Sequence, residues 1–333
     1  VLTPLVLAGD IGATKAVLGL FQVRELDRLL VRDATYRSAD FPGLEPLIRV
    51  FLDEGPPASP IAAACFGVPG VVVDETVTPT NLPWTLEAKS LRRMLASPAV
   101  MLINDLEAAA WGVLRLAPSQ LVSLQEGAPR RGHQALIAAG TGLGEALIVD
   151  DGGREIVIAS EGGHADFAPR TDAESALLDY LRRELGHVSY ERVLSGPGLV
   201  NIYRFLRDTR GRVEPGWLAD RLQAGDPSEV VSETALAGED PNCVEALDMF
   251  ASIYGAEAGN LALKVVALGG VYIGGGIAPK IRGKLVEGGF VSAFRDKGRF
   301  APLMESIPVR LALEPRAPLL GAAFVASRIL AAT

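Results

Sequence analysis

Two stretches, "LVLAGDIGATKAVLGLF" at 5–21 and "ALIAAGTGLGEALIV" at 135–149, follow one plan: an apolar run, a turn bearing glycines and a threonine, and a second apolar run. Such a pattern reads as two strands joined by a tight turn, and its recurrence hints at a duplicated α/β architecture. Further buried strands are expected in "PIAAACFGVPGVVV" (60–73) and "AVMLIN" (99–104), with helices near 44–53 and 86–96. After the second hairpin, a helix is expected over 172–185, with Ala176, Leu177, Tyr180 and Leu181 on one face. Helical spacing runs on through 242–267 and stops at Gly269-Gly270. "VYIGGGIAPKI" (271–281) reads as strand, glycine turn and new helix, followed by a strand at 308–313 and a last helix at 318–331 with Pro318 in its first turn. The most polar stretch, 207–241, is expected to be an irregular excursion between helices.

A chain of 333 residues suggests two domains, and without a long Pro/Gly/Ser linker they are expected to abut and share a cleft. Hydrophobic residues at 49% and charged residues at 22% fit a globular protein with a sizeable core. The net charge of −8 argues against nucleic acid and anionic membrane surfaces as partners. No apolar stretch reaches the roughly 18 residues a membrane span needs. Cys65 and Cys243 are too few and too far apart for a disulfide framework or a cysteine-rich zinc cluster. The opening "VLTPLVLAGDIGATK" has no basic leader and is interrupted by Asp10, so a cytoplasmic location is expected.

Glycine turns let backbone N–H groups converge on a phosphate. "GDIGATK" contributes Gly9, Asp10, Gly12, Ala13, Thr14 and Lys15, and "GTGLG" contributes Gly140, Thr141 and Gly142. Neither has the spacing of a Walker A loop or a dinucleotide fingerprint, and a hairpin without a ligand is the other reading of each. Asp10 sharpens the first, because a carboxylate beside phosphate needs a cation such as Mg²⁺ between them. Gly274 and Gly275 in "YIGGGIAPKI" suit either a tight connection or a flat floor for adenine or ribose.

"INDLEAAAWG" (103–112) sets Asn104 and Asp105 where a strand hands over to a helix, as caps or as working groups. "SEGGHADFAP" (160–169) and "YERVLSGPG" (190–198) carry Glu161, His164 and Glu191. Carboxylates and an imidazole can satisfy sugar hydroxyls, each of which donates and accepts, although a lone histidine is more often structural. Zinc is not expected, since no cysteine lies nearby and His133 and His187 lack ligand spacing. "PTNLPW" (79–84) adds Asn81 and Trp84, as a turn with a packed aromatic or as a wall of the same pocket.

In order, "GDIGATK", "PTNLPW", "INDLEAAAWG", "AAGTGLGEA", "EGGHADFAP", "ERVLSGPGLVNIY", "GGVYIGGGIAPKI" and "DKGRF" span essentially the whole chain. A chain carrying them resembles the bacterial glucokinase family of the sugar kinase, Hsp70 and actin superfamily. That resemblance implies an α/β, two-domain, sugar kinase/Hsp70/actin-like (ribonuclease H-like) fold with a ligand cleft between the domains. The small domain would be 1–115 plus 315–333, and the large one 116–314. The implied activity is ATP-dependent phosphorylation of D-glucose at its 6-hydroxyl, giving glucose 6-phosphate and ADP, as in glycolysis.

By the same resemblance, "GDIGAT" and "GTGLG" are the two phosphate loops and Gly274 and Gly275 lie near the adenosine. Asn104, Asp105, Glu161, His164 and Glu191 bind the sugar, with Asn81 as a further contact and Asp105 as catalytic base. Asp10 is expected to reach Mg²⁺ through water. Family members commonly form homodimers, so a homodimer is expected, with no nucleic acid or membrane partner. The first loop of the family often reads Gly-Gly-Thr-Asn, where this chain has Gly12-Ala13-Thr14-Lys15. Ala13 is expected to cost freedom at the turn and Lys15 to add a cation near the phosphates. The related ROK sugar kinases carry a cysteine-rich zinc motif that is missing here, which sets the chain outside that group. The alternatives are a kinase for another hexose, mannose or an aminosugar, and a sugar-sensing protein without catalysis.

Overall fold

Both glycine hairpins form. The computed structural model describes residues 3–24, 27–79, 82–128, 130–287 and 289–332. Contacts divide the chain into two units, Val1–Ser119 with Glu314–Thr333, and Gln120–Leu313. In the first, Leu5–Ile11 (β1), Lys15–Arg24 (β2) and Asp27–Arg37 (β3) make an antiparallel meander, and Leu44–Glu54 (α1) follows. Ile61–Val68 (β4) joins β1 in parallel, and Thr76–Val77 (β5) and Leu86–Glu87 (β6) form a small separate ribbon. Ala88–Leu95 (α2) leads to Ala99–Asn104 (β7), parallel to β4, and then Asp105–Val113 (α3). The resulting sheet has the order β3-β2-β1-β4-β7.

The second unit repeats this plan around a separate core. Leu121–Gln125 (β8) precedes the meander Gln134–Ala139 (β9), Leu143–Asp151 (β10) and Arg154–Ser160 (β11). Its helices are Asp172–Leu185 (α4), Gly196–Thr209 (α5), Gly216–Ala224 (α6), Pro227–Ala237 (α7) and Pro241–Val265 (α8). Gly270–Gly274 (β12) enters beside β9 in parallel, and Arg282–Val286 (α9), Gly289–Arg295 (α10) and Ala301–Ser306 (α11) lead to Val309–Ala312 (β13). The sheet order is β11-β10-β9-β12-β13-β8. Reading from the meander, three antiparallel strands and two parallel additions occur in each unit, so the duplication hinted at by the hairpins extends to the sheets. β8 is the addition, antiparallel to β13 at the edge.

The chain ends by returning to the first unit as Ala317–Ala332 (α12), which packs on α3, β1 and β4. Two glycines permit this. A Cβ on Gly112 would come 1.8 Å from Ala317 O, and one on Gly321 would come 1.8 Å from Ala108 O. The two backbones therefore touch, and α12 fixes the height of α3 over the sheet.

Several expectations need correction. The polar stretch 207–241 contains two helices, α6 and α7. Its polar residues are caps and solvent faces: Asp226 accepts from the N–H groups of Ser228 and Glu229, Pro227 sits in the first turn, and Gly238 ends α7 with φ 70°. On α4, Leu177 and Leu181 are buried but Ala176 is exposed; buried Glu174 shares their face instead, accepting from Arg170 N at 2.7 Å. The long helix stops at Val265, with Val266 left-handed at φ 52°, before the glycine pair is reached. After Gly274–Gly276 the chain makes turns, and α9 begins only at Arg282. β4 stops at Val68, leaving Val71 and Val73 exposed. The last helix begins at Ala317, with Pro318 its second residue. Among the described residues, no helix is long and apolar enough to cross a membrane.

Candidate active site

In the first unit, the parallel ladders bring three strand ends level. Asp10 of β1 is opposite Gly67 of β4, and Asn104 of β7 is opposite Val68. A Cβ on Gly67 would lie 2.8 Å from Ala108 Cβ, 3.6 Å from Asp105 Cα and 3.7 Å from Gly9 O. Glycine at 67 thus lets α3 settle onto the sheet with Asp105 beside the end of β1. The C-terminal ends of parallel strands are where α/β sheets collect ligands.

Asn104 and Asp105 divide the work that the sequence left open. Asn104 is the cap of α3: its side-chain oxygen accepts from Leu106 N at 2.9 Å and Glu107 N at 3.3 Å, and its amide donates to Gly70 O at 3.1 Å. Asp105 is the first helical residue, and its Oδ1 accepts from Leu106 N at 2.9 Å. A carboxylate is a favoured residue type in the first turn of a helix.

The first glycine turn is held shut by its own backbone and by Ser38. Gly12 N donates to Lys15 O at 2.9 Å, Ser38 N to Thr14 O at 3.1 Å, and Ser38 Oγ to Gly12 O at 2.7 Å. Ser38 is a member of this site that no pattern near 9–15 reveals. Ala13, Thr14 and Lys15 are exposed at the tip. None of residues 12–15 has left-handed backbone, so the expected cost of Ala13 is absent: an alanine adopts this turn without strain. Burial pushes the Asp10 carboxyl up to about 6, with the nearby Lys15 ammonium working against the rise.

In the second unit, Gly140 N donates to Gly142 O at 2.8 Å, closing the second turn, and Gly196 N donates to Gly140 O at 2.8 Å. No atom comes within 4 Å of a Cβ built on Gly140 or on Gly276, so both backbones face open space. Gly275 has φ +82°, and a Cβ there would strike Ala139 O at 2.2 Å. Only glycine fits where β12 passes the end of β9. Ser228, near the start of α7, lies against Gly196, its Oγ 3.1 Å from a Cβ built there. Reading 207–241 as irregular concealed this neighbour; the Asp-Pro-Ser-Glu cap at 226–229 was the available signal.

Glu161, His164 and Glu191 come together beside the second turn. The 161–164 and 190–192 turns are joined by Tyr190 N to Ala165 O and Phe167 N to Val188 O, both 3.0 Å. His164 Nε2 is 3.8 Å from Glu161 Oε2, and both side chains are more than half exposed. Glu191 Oε2 accepts from Leu143 N at 3.0 Å, and a Cβ on Gly142 would meet the same oxygen at 2.5 Å. Glu191 therefore ties the 190–192 turn to the second glycine turn. The other two histidines are occupied elsewhere, His133 accepting from Asp150 N at 3.0 Å and His187 bound to Asp166 at 2.7 Å. Asn81 lies outside the described residues. Among the described residues, no three His, Cys, Asp or Glu side chains form a cage for a metal ion.

A sheet plan repeated in both units, each with a glycine turn joining its first two meander strands, is that of the sugar kinase/Hsp70/actin class. The glucokinase family model matches residues 7–329. A glucokinase of Trichormus variabilis is 42% identical over 98% of this chain and 99% of its own length. The crystal structure of glucokinase from an Antarctic psychrotroph superposes with a TM-score of 0.85 at 32% identity, covering 98% of this chain and all of that one. A ROK family glucokinase from Streptomyces griseus, in complex with glucose and AMPPNP, shares the fold at TM-score 0.66 and 24% identity, covering 97% of this chain and 99% of that one. The chain belongs to the glucokinase family.

Proposed function

We propose that this protein transfers the γ-phosphoryl group of ATP to the 6-hydroxyl of D-glucose, with Asp105 as the base. The observation that carries the assignment is the placement of Asp105 at the head of α3 beside the end of β1, where Asp10 lies. Phosphoryl transfer has a loose transition state, so alignment and charge stabilisation supply most of the rate. Asp105 accepts the hydrogen bond of the 6-hydroxyl, aims its oxygen at the γ-phosphorus and takes the proton as the new P–O bond forms. The β–γ bridging oxygen leaves with the electron pair as ADP.

Asn104 has given its oxygen to the helix cap, so toward the sugar it works through its amide group. Glu161, His164 and Glu191 read the ring hydroxyls, and Asn81 is a further candidate contact. The turns at 9–15 and 140–144 cradle the phosphates, with Lys15 adding positive charge, and the adenosine lies near Gly274 and Gly275. Support for these ligands comes from the Streptomyces griseus relative, described with glucose and AMPPNP. The open backbones of Gly140 and Gly276 are the kind of surface a nucleotide lies on.

A magnesium ion would be held here by Asp10 and would supply positive charge to offset the charge developing on the phosphates. The residues fit such an ion: one partly buried carboxylate with a raised proton affinity, Asp10, is a group a cation would stabilise. Its contact would run through water.

The deciding experiment measures glucose-dependent ADP formation and calorimetric sugar binding for the native chain and Asp105→Asn. Turnover is expected to fall by about 10²–10⁴-fold, the range for loss of a general base, with sugar binding kept. Near-native turnover would refute the assigned base. A panel with mannose and aminosugars in the same assay separates glucose from its competitors.

A further inference from the structure

Beneath the hydroxyl-reading turns of the second unit lies a set of buried charged groups for which the transfer reaction has no role. Glu145 on β10 is 1% exposed and Glu257 on α8 is wholly buried. The Glu257 carboxylate lies close enough to Glu145 to raise its proton affinity. Glu257 has donors of its own: Lys264 Nζ at 3.1 Å to Oε1 and Asn260 Nδ2 at 2.7 Å to Oε2. The Asn260 amide also lies 3.1 Å from Tyr190 Oη, one residue before Glu191, and its oxygen accepts from Lys297 Nζ at 2.7 Å.

Glu145 is different. Its Oε1 is buried, and no described group donates to it. Its Oε2 lies directly under the sugar-reading turn, where a Cβ on Gly162 would come within 2.1 Å. The neighbouring Gly163 is equally constrained, since its Cβ would strike Leu143 O at 2.1 Å. The 161–164 turn thus rests on the Glu145 carboxyl and the backbone of β10.

Two buried carboxylates beside a single contacting ammonium repel each other, and low polarity amplifies the repulsion. One proton on Glu145 removes that repulsion and supplies the donor the pair lacks. We propose that Glu145 is a positioning residue for sugar recognition: protonated, it bonds Glu257 and seats the 161–164 turn; ionised, it unseats that turn and weakens sugar binding. The proposal rests on the reading of Glu161 and His164 as hydroxyl binders.

The surrounding groups agree with it. Burial, then the Glu257 charge, push Glu145 up to about 7, against the opposing pull of Lys264. From α8 the facing groups are Glu257, Lys264 and Tyr254; from the 190–192 turn, Tyr190; from β11, Ser160. Burial raises both tyrosine hydroxyls above their ordinary value, so they remain neutral while Glu145 titrates. Lys297, one step away across Asn260, is lowered by burial and is the same in the native chain and in the variant used below. The Gln variant of Glu145 therefore isolates the carboxyl from that lysine.

The test follows KM and kcat for glucose from pH 7 to pH 9 in the full chain and in Glu145→Gln, together with amide hydrogen exchange over 161–165. Native KM is expected to rise about five- to tenfold across this range, because one lost proton can weaken binding by up to tenfold per pH unit, while kcat moves less than twofold. Glu145→Gln cannot ionise yet keeps an N–H donor toward Glu257, so its KM should stay level. Protection of 161–165 in the sugar-free native chain should fall over the same pH interval. A level native KM, or a Glu145→Gln profile that rises like the native one, overturns the proposal. If the native chain phosphorylates no hexose, the kinase reading fails, and the exchange measurement alone decides: pH-independent protection overturns the role of Glu145. The exchange arm needs only native protein, so a Gln variant that fails to fold leaves the test intact.

Discussion

Asp10 is held in a conflict between folding and use. Its carboxyl sits at about 6, against 3.8 for the free side chain, because burial disfavours its charge. Between those values the folded chain binds a proton that the unfolded chain releases, so this group's contribution to stability declines as pH rises through the window. Above pH 6 the full penalty stands. Asp10→Asn is therefore expected to stabilise the ligand-free protein at pH 7 by about 1–2 kcal/mol, after discounting for the water the carboxylate still meets. The same change should cripple turnover, since the group that would meet the magnesium ion loses its charge. Thermal melts and an ADP assay check both halves, and a lowered melting temperature would show that the charge is not penalised. In the native chain, kcat/KM should decline below about pH 6 as Asp10 protonates. At this scale the sequence was informative: Asp10 beside a glycine turn, and Asp105 after a buried strand, were legible from residue type and place. Ser38 was not, because its bonds to residues 12 and 14 cross a strand hairpin and leave no trace in local pattern.

The helix that carries Asp105 is positioned by backbone contact with another helix. Gly112 and Gly321 let α3 and α12 approach until carbonyl oxygens lie where a methyl group would have to go. Gly321→Ala is expected to push the pair apart at a cost of about 1–3 kcal/mol, the usual range for an overpacked contact. Because Asp105 begins α3, kcat should suffer beyond what the lost stability explains. Melting temperature and kcat measured together test this; no change in either would show that the helices part freely. Helical segments themselves were readable where apolar spacing was strong, as in α1, α4 and α8. Residues 207–241 look irregular in the sequence because α6 and α7 bury few residues, and their polar caps resemble loop composition.

Across the whole molecule, the first and last segments of the chain fold as one unit, and a duplicated strand plan recurs in the other. α12 buries Leu319, Ala322, Ala323, Val325 and Ala326 against the first unit. Ending the chain at Leu313 would expose their partners on α3, β1 and β4, at a cost of roughly 5 kcal/mol or more by apolar transfer. Turnover should disappear while exchange protection in 120–313 persists; a fully active truncated chain would contradict this dependence. The sequence by itself determined the alternation of strands and glycine turns, and the order of motifs that marks the family. Those features are local: apolar period, steric tolerance and helix-capping chemistry act over a few residues. Only the tertiary structure decided that Glu145 meets Glu257, that Ser38 staples the first turn and that Gly321 accepts Ala108. Such contacts join distant positions, and the free energy of a buried charge or a touching backbone depends on atoms that no local pattern names.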